Sequence, residues 1–489
     1  MHHVSHRRFR DRALLTKPLP FLAAVATLLL MGGCAGTTTF TAYPKKINPL
    51  IADLRSGKPI DFSSCLTRES RSRDMILYNM ELGRIAQIVG NTDASMQNFS
   101  ASMESIREKE QKAIISASGV ASQAAAVTVN DNAIPYEGEG YERVMLYHFQ
   151  AMNYLAKKDL EGAGVEIRRA NAEQEEALKR HERELEGAQE EAEEKKVGDP
   201  LQNSALASQY AQLDEIAGKV KNSFQNAYTF YLSGVVYELT NQPNDAYIDY
   251  KKALEIFPGN SILQREVVRL ARKLEMSQEL DELKARFGID PAAVGNEIGK
   301  DAGELLVLFE DGFAPQKQEV KIPIPVPKVG VIATAFPVYT NHWIPASPLV
   351  VTEGGAAVGS TEPICDIRAL AVKSLKENVP ALAIRQTLRA IAKGATAKMA
   401  KDKLGALGFF GATLWNLASE NADLRSWITL PEDAQIMRVT LSAGRHSLTL
   451  QHEGSMAAAK VEVDIREGGK TILRVVRAGE EMYRTALVF

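Results

Sequence analysis

The chain has 489 residues, of which 45% are hydrophobic and 24% charged, with a formal net charge of −3 at pH 7. That length and apolar content suffice for two or three domains with real cores and exclude a disordered tail, while the near balance of charge excludes the basic footprint of a nucleic-acid-binding surface. The three cysteines, Cys34, Cys65 and Cys365, form no Cys-x-x-Cys pair and no histidines fall at ligand spacing, so neither a zinc site nor any other cofactor is expected.

In chain order, Arg7, Arg8, Arg10, Arg12 and Lys17 precede an apolar stretch from Phe21 to Met31 that ends in Gly32-Gly33-Cys34. The positive flank stays in the cytoplasm, the apolar segment is too short for a permanent span, and two glycines admit a peptidase to the bond before Cys34. Residues 1–33 therefore read as a bacterial lipoprotein signal peptide with Cys34 as the acylated residue, carrying a palmitate-type lipid; the alternative is an ordinary cleaved signal peptide. Both place the mature chain outside the cytoplasm. By resemblance to bacterial lipoproteins, Ala35 in place of Asp implies the outer membrane, with the protein facing the periplasm. No later apolar run reaches the roughly 18 residues of a span, which leaves this lipid as the sole anchor. Residues 34–64, polar and carrying Pro44, Pro49 and Pro59, read as a tether.

From residue 65 to 290 apolar residues recur at helical spacing, which predicts an all-helical domain. Phe230, Gly234, Tyr237, Ala246, Tyr250, Ala253 and Pro258 fall at the spacing of a tetratricopeptide repeat of about 34 residues, with small residues where two helices cross, aromatics filling the gap and a proline closing the second helix. Leu82, Gly83, Gly90 and Phe99 fit the same template, as do Tyr147, Tyr154, Ala163 and Ala170. One repeat cannot bury its own faces, so these copies are expected to supply the neighbours.

Two segments interrupt the array. Gln111 to Tyr141 ends in a loop with Pro135, Tyr136, Glu137, Gly138, Glu139, Gly140 and Tyr141, read either as a partner-contacting loop or as a plug of the solenoid. Glu137 and Glu139 are the only acid/base candidates there, and with no companion His or Arg they fall short of a catalytic constellation. Ala170 to Lys196 is charged nearly all round, as in a solvated arm or a coiled-coil dimer contact.

Residues 291–489 predict an antiparallel β-rich domain, so the fold class is a multidomain α+β chain. Gly303 to Gly312 reads as a buried strand entering a turn, and Gln318 to Val326, with Pro323 and Pro325, as an edge strand. Val329 to Tyr339 and Leu349 to Thr352 add two more. Asn378 to Ala422 reads as a helical insert capped by Asn378, whose uncharged Leu404 to Leu417 segment either dips into a membrane face or packs closely on the sheet. From Asp423 onward the alternation of Gln435 to Leu441, His446 to Leu450, Lys460 to Ile465 and Lys470 to Val476 predicts strands joined by hairpins; His446 and His452 are expected to meet solvent or a neighbour rather than a metal. Cys65 and Cys365 either form one disulfide between the two halves or are separately buried thiols.

The Gly32-Gly33-Cys34 signal, the repeats, Gly138-Glu139-Gly140-Tyr141 followed by Tyr154 and Arg168-Arg169-Ala170-Asn171, and the β-rich end together resemble a little-characterised family of tetratricopeptide-containing bacterial outer-membrane lipoproteins. The last strands are similar to the small β-sandwich modules of surface lipoproteins, and the helical part is similar in architecture to penicillin-binding-protein activators. The resemblance implies a non-enzymatic envelope scaffold. Its protein partner is expected at Phe230, Tyr237 and Tyr250 on the concave repeat surface and at Tyr136, Glu137, Glu139 and Tyr141 in the loop. The alternatives are an envelope enzyme acting on peptidoglycan or polysaccharide, a regulator of a cell-wall synthase, or a lipid or small-molecule carrier; no Gly-x-Ser-x-Gly, Ser-x-x-Lys, His-Glu-x-x-His or phosphate-loop motif supports catalysis.

Overall fold

The helical part is built from paired helices whose crossings demand small residues. The computed structural model describes residues 42–61, 73–115, 131–194, 204–294, 299–326 and 330–489; the signal segment, Cys34 and Cys65 lie outside them. After α1 (Pro44–Arg55), helices α2 (Met75–Ile88) and α3 (Thr92–Ile115) form a first hairpin, and α4 (Gly140–Ala156) and α5 (Leu160–Glu194) a second. Short α6 (Ser204–Ala211) and α7 (Asp214–Ala217) lead into a third, α8 (Ala227–Leu239) with α9 (Pro243–Ile256), followed by α10 (Ser261–Lys273) and α11 (Ser277–Phe287).

A Cβ at Gly234 would lie 2.4 Å from the Tyr250 ring, and one at Gly83 2.4 Å from that of Phe99. Each glycine thus lets an aromatic of the next helix lie against the backbone, the packing anticipated from the spacing. Caps set the boundaries: Asn226 Oδ1 accepts the Thr229 N–H at the start of α8, and Asn260 Oδ1 that of Leu263 at the start of α10.

Helix α1 corrects the tether. Ile47, Leu50, Ile51 and Leu54 recur on one face and are buried, so this stretch joins the core. Pro44 sits at the helix start, where its missing N–H costs nothing, and Pro49 lies inside the helix near its start; reading these prolines as breakers hid the apolar stripe.

The second half is the expected antiparallel-rich β region. Its centre is a five-stranded sheet in the order β11-β10-β1-β7-β6, comprising β1 (Ala302–Asp311), β6 (Glu362–Asp366), β7 (Asp433–Ser442), β10 (Lys470–Ala478) and β11 (Glu481–Val488). All its pairings are antiparallel except β1 with β10. A four-stranded sheet of β4 (Leu349–Glu353), β5 (Ala356–Ser360), β8 (Gly444–His452) and β9 (Ala458–Ile465) packs on one face through Leu305, Val307, Phe309, Val351, Leu448, Leu450 and Leu473. Among the described residues, strands β2 (Gln318–Val326) and β3 (Gly330–Val338) pair only with each other, consistent with prolines at an edge.

β7 and β8 are therefore not a hairpin. They lie in different sheets, and Gly444, at φ 141°, stands where the chain crosses from one to the other. His446 and His452 meet neighbours, Glu353 at 3.0 Å and Asp311 at 3.2 Å.

The helical insert is present but starts earlier than Asn378. Helix α12 (Ile367–Ser419) is capped by Asp366, whose side chain accepts the Ala369 N–H, and Asn378 lies inside it. Val379-Pro380 invited the later start, yet Pro380 is accommodated within the helix. Non-helical Gly405 interrupts it near the start of the uncharged Leu404 to Leu417 segment, whose side chains, Gly405 aside, lie outside the description. Among the described residues no helix is long and apolar enough to cross a membrane. The charged arm is not free either: Ala188 of α5 packs against Ala381 and Ile384 of α12, while Glu175, Glu176 and Lys179 on its other side are exposed.

One hydrophobic core runs from Tyr43 through the helices to Leu487, and the described residues form a single compact unit. The boundary near residue 290 marks a change of secondary structure, not a break in packing.

Candidate functional site

The surface on which a partner was expected is occupied by the chain's own sheet. Phe230 is 6% exposed and Tyr250 0%, and the Tyr250 hydroxyl accepts a hydrogen bond from Arg438 Nη1 of β7 at 3.2 Å. Tyr237 alone of the three is half-buried. In the loop, Tyr136 and Tyr141 are buried and both donate to the Glu142 carboxylate, which also accepts the Trp427 N–H at 2.7 Å. Glu139 caps α4 and is held by Lys317 at 3.2 Å and by Ser374, whose hydroxyl donates to Oε2 at 2.9 Å. Glu137 is exposed. The loop is thus folded inward, and four of the seven predicted contact residues are core residues. Apolar and aromatic types at repeat positions serve an internal sheet as well as an external partner, which is why local spacing misled.

The apolar helix-to-sheet contact also carries buried ion pairs. Glu310 of β1 accepts from Arg84 Nη2 of α2 at 2.5 Å, from Arg474 of β10 at 2.8 Å and from the Tyr228 hydroxyl of α8 at 3.0 Å. Arg438 pairs with Glu238, Glu266 and Glu304 at 2.8 to 2.9 Å. Burial alone would raise the Glu304 carboxyl, but Arg438 and Lys470 outweigh it and hold the group at about 2. An open cleft of about 640 Å³ lies beside this network, with Glu238, Arg265, Glu266, Arg269, Lys273 and Arg438 among its walls.

A second cavity, about 480 Å³, has a different chemistry. It lies where the loop from Gly218 to Gln225, the end of α9, the segment before β4, and β6 converge. Ala227, Ile256, Phe257, Trp343, Pro345, Ala346, Pro363, Ile364 and Leu370 supply apolar walls; Cys365, Asp366 and Asp433 supply the polar groups, and Lys219, Lys221, Asn222 and Gln225 stand around it on the loop. The fold builds it from fixed parts. Asn260, already capping α10, donates from Nδ2 to the Pro363 carbonyl at 2.9 Å, and Glu362 accepts the Ser261 N–H at 2.7 Å, so the corner after α9 is tied to β6. The β6–β7 register shifts between Pro363 and Cys365, a bulge at a proline that has no N–H to give the ladder.

Asp366 uses one oxygen to cap α12 and the other to accept the Trp343 indole N–H at 2.8 Å, which fixes the ring as a wall. Lys219 Nζ lies 3.7 Å from the centroid of that ring.

Cys365, 6% exposed, carries a free thiol among the described residues; Cys65, its expected partner in the disulfide reading, lies outside them. Burial, with Asp366 and Asp433 nearby, pushes the thiol well above its ordinary range, which keeps it protonated and a poor nucleophile. Asp433, 4% exposed, is raised to about 7 by burial and by Asp311, against a hydrogen bond that Gln435 donates at 2.9 Å. Asp366 has both oxygens engaged, so the two aspartates do not make the pair of free carboxylates that glycoside hydrolysis needs. Among the described residues no cluster of His, Cys, Asp or Glu is arranged to hold a metal.

Sequence reasoning passed over Trp343, Phe257, Asp366 and Asp433. They come from four separate segments, and the one local signal was Trp343 beside Ile344-Pro345, an aromatic in a polar, proline-containing stretch. No protein-family model, curated protein or solved structure matches the chain.

Proposed function

We propose that this chain is a lipid-anchored protein of a bacterial envelope, held at the outer membrane through Cys34, that binds a small molecule with an apolar body and does no catalysis. The observation that carries the binding reading is the 480 Å³ pocket, mostly apolar with a few convergent polar groups, at a seam between helices and sheet. Its size falls in the range of about 300 to 1,000 Å³ usual for small-molecule sites. The anchor rests on Phe21 to Cys34. The helical array, whose inner side is taken up by the central sheet, is in this reading a clasp that shapes the pocket, and partner capture through the repeats is no longer its main use.

The test is titration of the purified mature chain with N-phenyl-1-naphthylamine, whose fluorescence rises in apolar surroundings. Saturable one-site binding is expected, lost in Ala346→Trp, which fills the mouth, with the thermal melt unaltered. No binding, or equal binding by the filled variant, would remove the reading. For the anchor, Cys34→Ser should abolish palmitate labelling in cells; retained labelling would exclude acylation at that residue.

A further inference from the structure

The polar groups around this pocket are not symmetrically placed. Its interior carboxyl groups are engaged: Asp366 by Arg368 at 3.2 Å, the indole of Trp343 and the start of α12, Asp433 by Gln435. The loop beside it carries two exposed lysines, Lys219 and Lys221, and among the described residues neither is in an ion pair. Lys219 is held over the Trp343 face with no carboxylate on it, and Asn222 and Gln225 spend their side chains on each other and on the loop backbone. The cavity therefore presents apolar walls within and unneutralised positive charge at the loop.

We infer that the occupant is an anionic amphiphile, with its chain against Phe257, Trp343 and Ile364 and its acidic head, a carboxylate or phosphate monoester, at Lys219 and Lys221. This rests on the binding reading above and adds the charge and orientation of the ligand. A charged hydrogen bond from an ammonium to an acidic head is stronger than a neutral one, and it forms at the mouth, where the head keeps part of its hydration. The inverse arrangement, a cationic head pointing inward, would have to displace Gln435 or Trp343 from the aspartates. Asp433, held near neutral pH by burial, adds little negative charge to the interior when protonated.

The experiment displaces bound N-phenyl-1-naphthylamine from the full mature chain with dodecanoate, dodecyl phosphate, dodecanol and dodecyltrimethylammonium, each below its micellar concentration. The two anions should compete about tenfold better than dodecanol, and the cation worse. In the double variant Lys219→Gln, Lys221→Gln the ratio of anion to alcohol should fall to about one, and added salt should lower it in the parent protein. Equal competition by dodecanol, preference for the cation, or a ratio untouched by the double variant would each overturn the inference while the naphthylamine site stands. Association with anionic phospholipid vesicles without displacement by the monomeric anions would overturn it too, since the charge would then serve a membrane surface. Failure of naphthylamine itself to bind is the separate result that removes the underlying reading.

Discussion

Toward β4, β8 and β9, strand β1 presents Leu305, Val307 and Phe309, with Leu473 of β10 beside them, to a face lined by Val351, Leu448, Leu450 and Val463. Toward the helices the same strand sets Leu306 and Leu308 between Glu304 and Glu310, two buried carboxylates that each carry cations from other elements. Both faces are shut off from water, yet one is closed by apolar area alone and the other by apolar area, Leu306, Leu308, Ile436 and Ile472 against the helices, with placed charge set into it. Apolar area is non-directional, so the first contact is stabilised at roughly 25 cal/mol per Å² and tolerates changes of shape. Buried ion pairs add little net stability, because desolvation offsets attraction, but they penalise every misplacement. On that ground we read Glu310 and Arg438 as fixing which helix lies over which strand: Glu310 joins α2 and α8 to β1 and β10, and Arg438 joins β7 to α8 and α10.

The comparison breaks first at Glu310. Glu310→Ala leaves Arg84, whose side chain is 1% exposed, and Arg474 without their shared carboxylate, and should cost about 3 to 5 kcal/mol in urea unfolding. A loss below about 1 kcal/mol would mean that the charged face is dispensable. On the dry face, Leu305→Ala should cost about 3 kcal/mol and Leu305→Met under about 1.5 kcal/mol, with amide exchange in α2 and α8 unaltered by either. Faster exchange in those helices would show that the two faces are not independent.

Asp433 sharpens the contrast, because it is buried with no ion pair among the described residues. An unfolded aspartate titrates near 3.9, whereas Asp433 in the folded chain is raised to about 7. Between those values the folded state binds more protons, so this group makes stability fall as pH rises from about 4 to about 7, with the penalty complete above that window. Asp433→Asn should therefore raise stability by about 1 to 2 kcal/mol at pH 8 and change it little at pH 4. Melting curves at the two pH values decide it; an equal effect at both would show that the carboxyl is not strained by burial.

Much of the architecture was legible because its signals are local. Gly234 with Tyr250, and Gly83 with Phe99, announced helix crossings from spacing alone, and the run from Leu305 to Phe309 announced a strand covered on both faces. Where a residue type has two local meanings the sequence is ambiguous: a proline such as Pro44 suits a tether and a helix start alike, and here it starts α1, while Val379-Pro380 resembles a helix start although Asp366 caps α12.

The candidate pocket was barely legible at all. Its walls join residues near 219, 257, 343, 364 and 433, and no periodicity links positions so far apart. By itself the chain's order of residues determined the helical and β-rich halves and the crossings within each hairpin, since each depends on neighbours within a turn, a strand or a short stretch. Only the tertiary structure decided that the sheet fills the inner side of the helices, that Tyr250 and Tyr141 face inward, and that Trp343 closes a cavity over β6, because burial is a property of what packs across a residue and not of the residue's own segment.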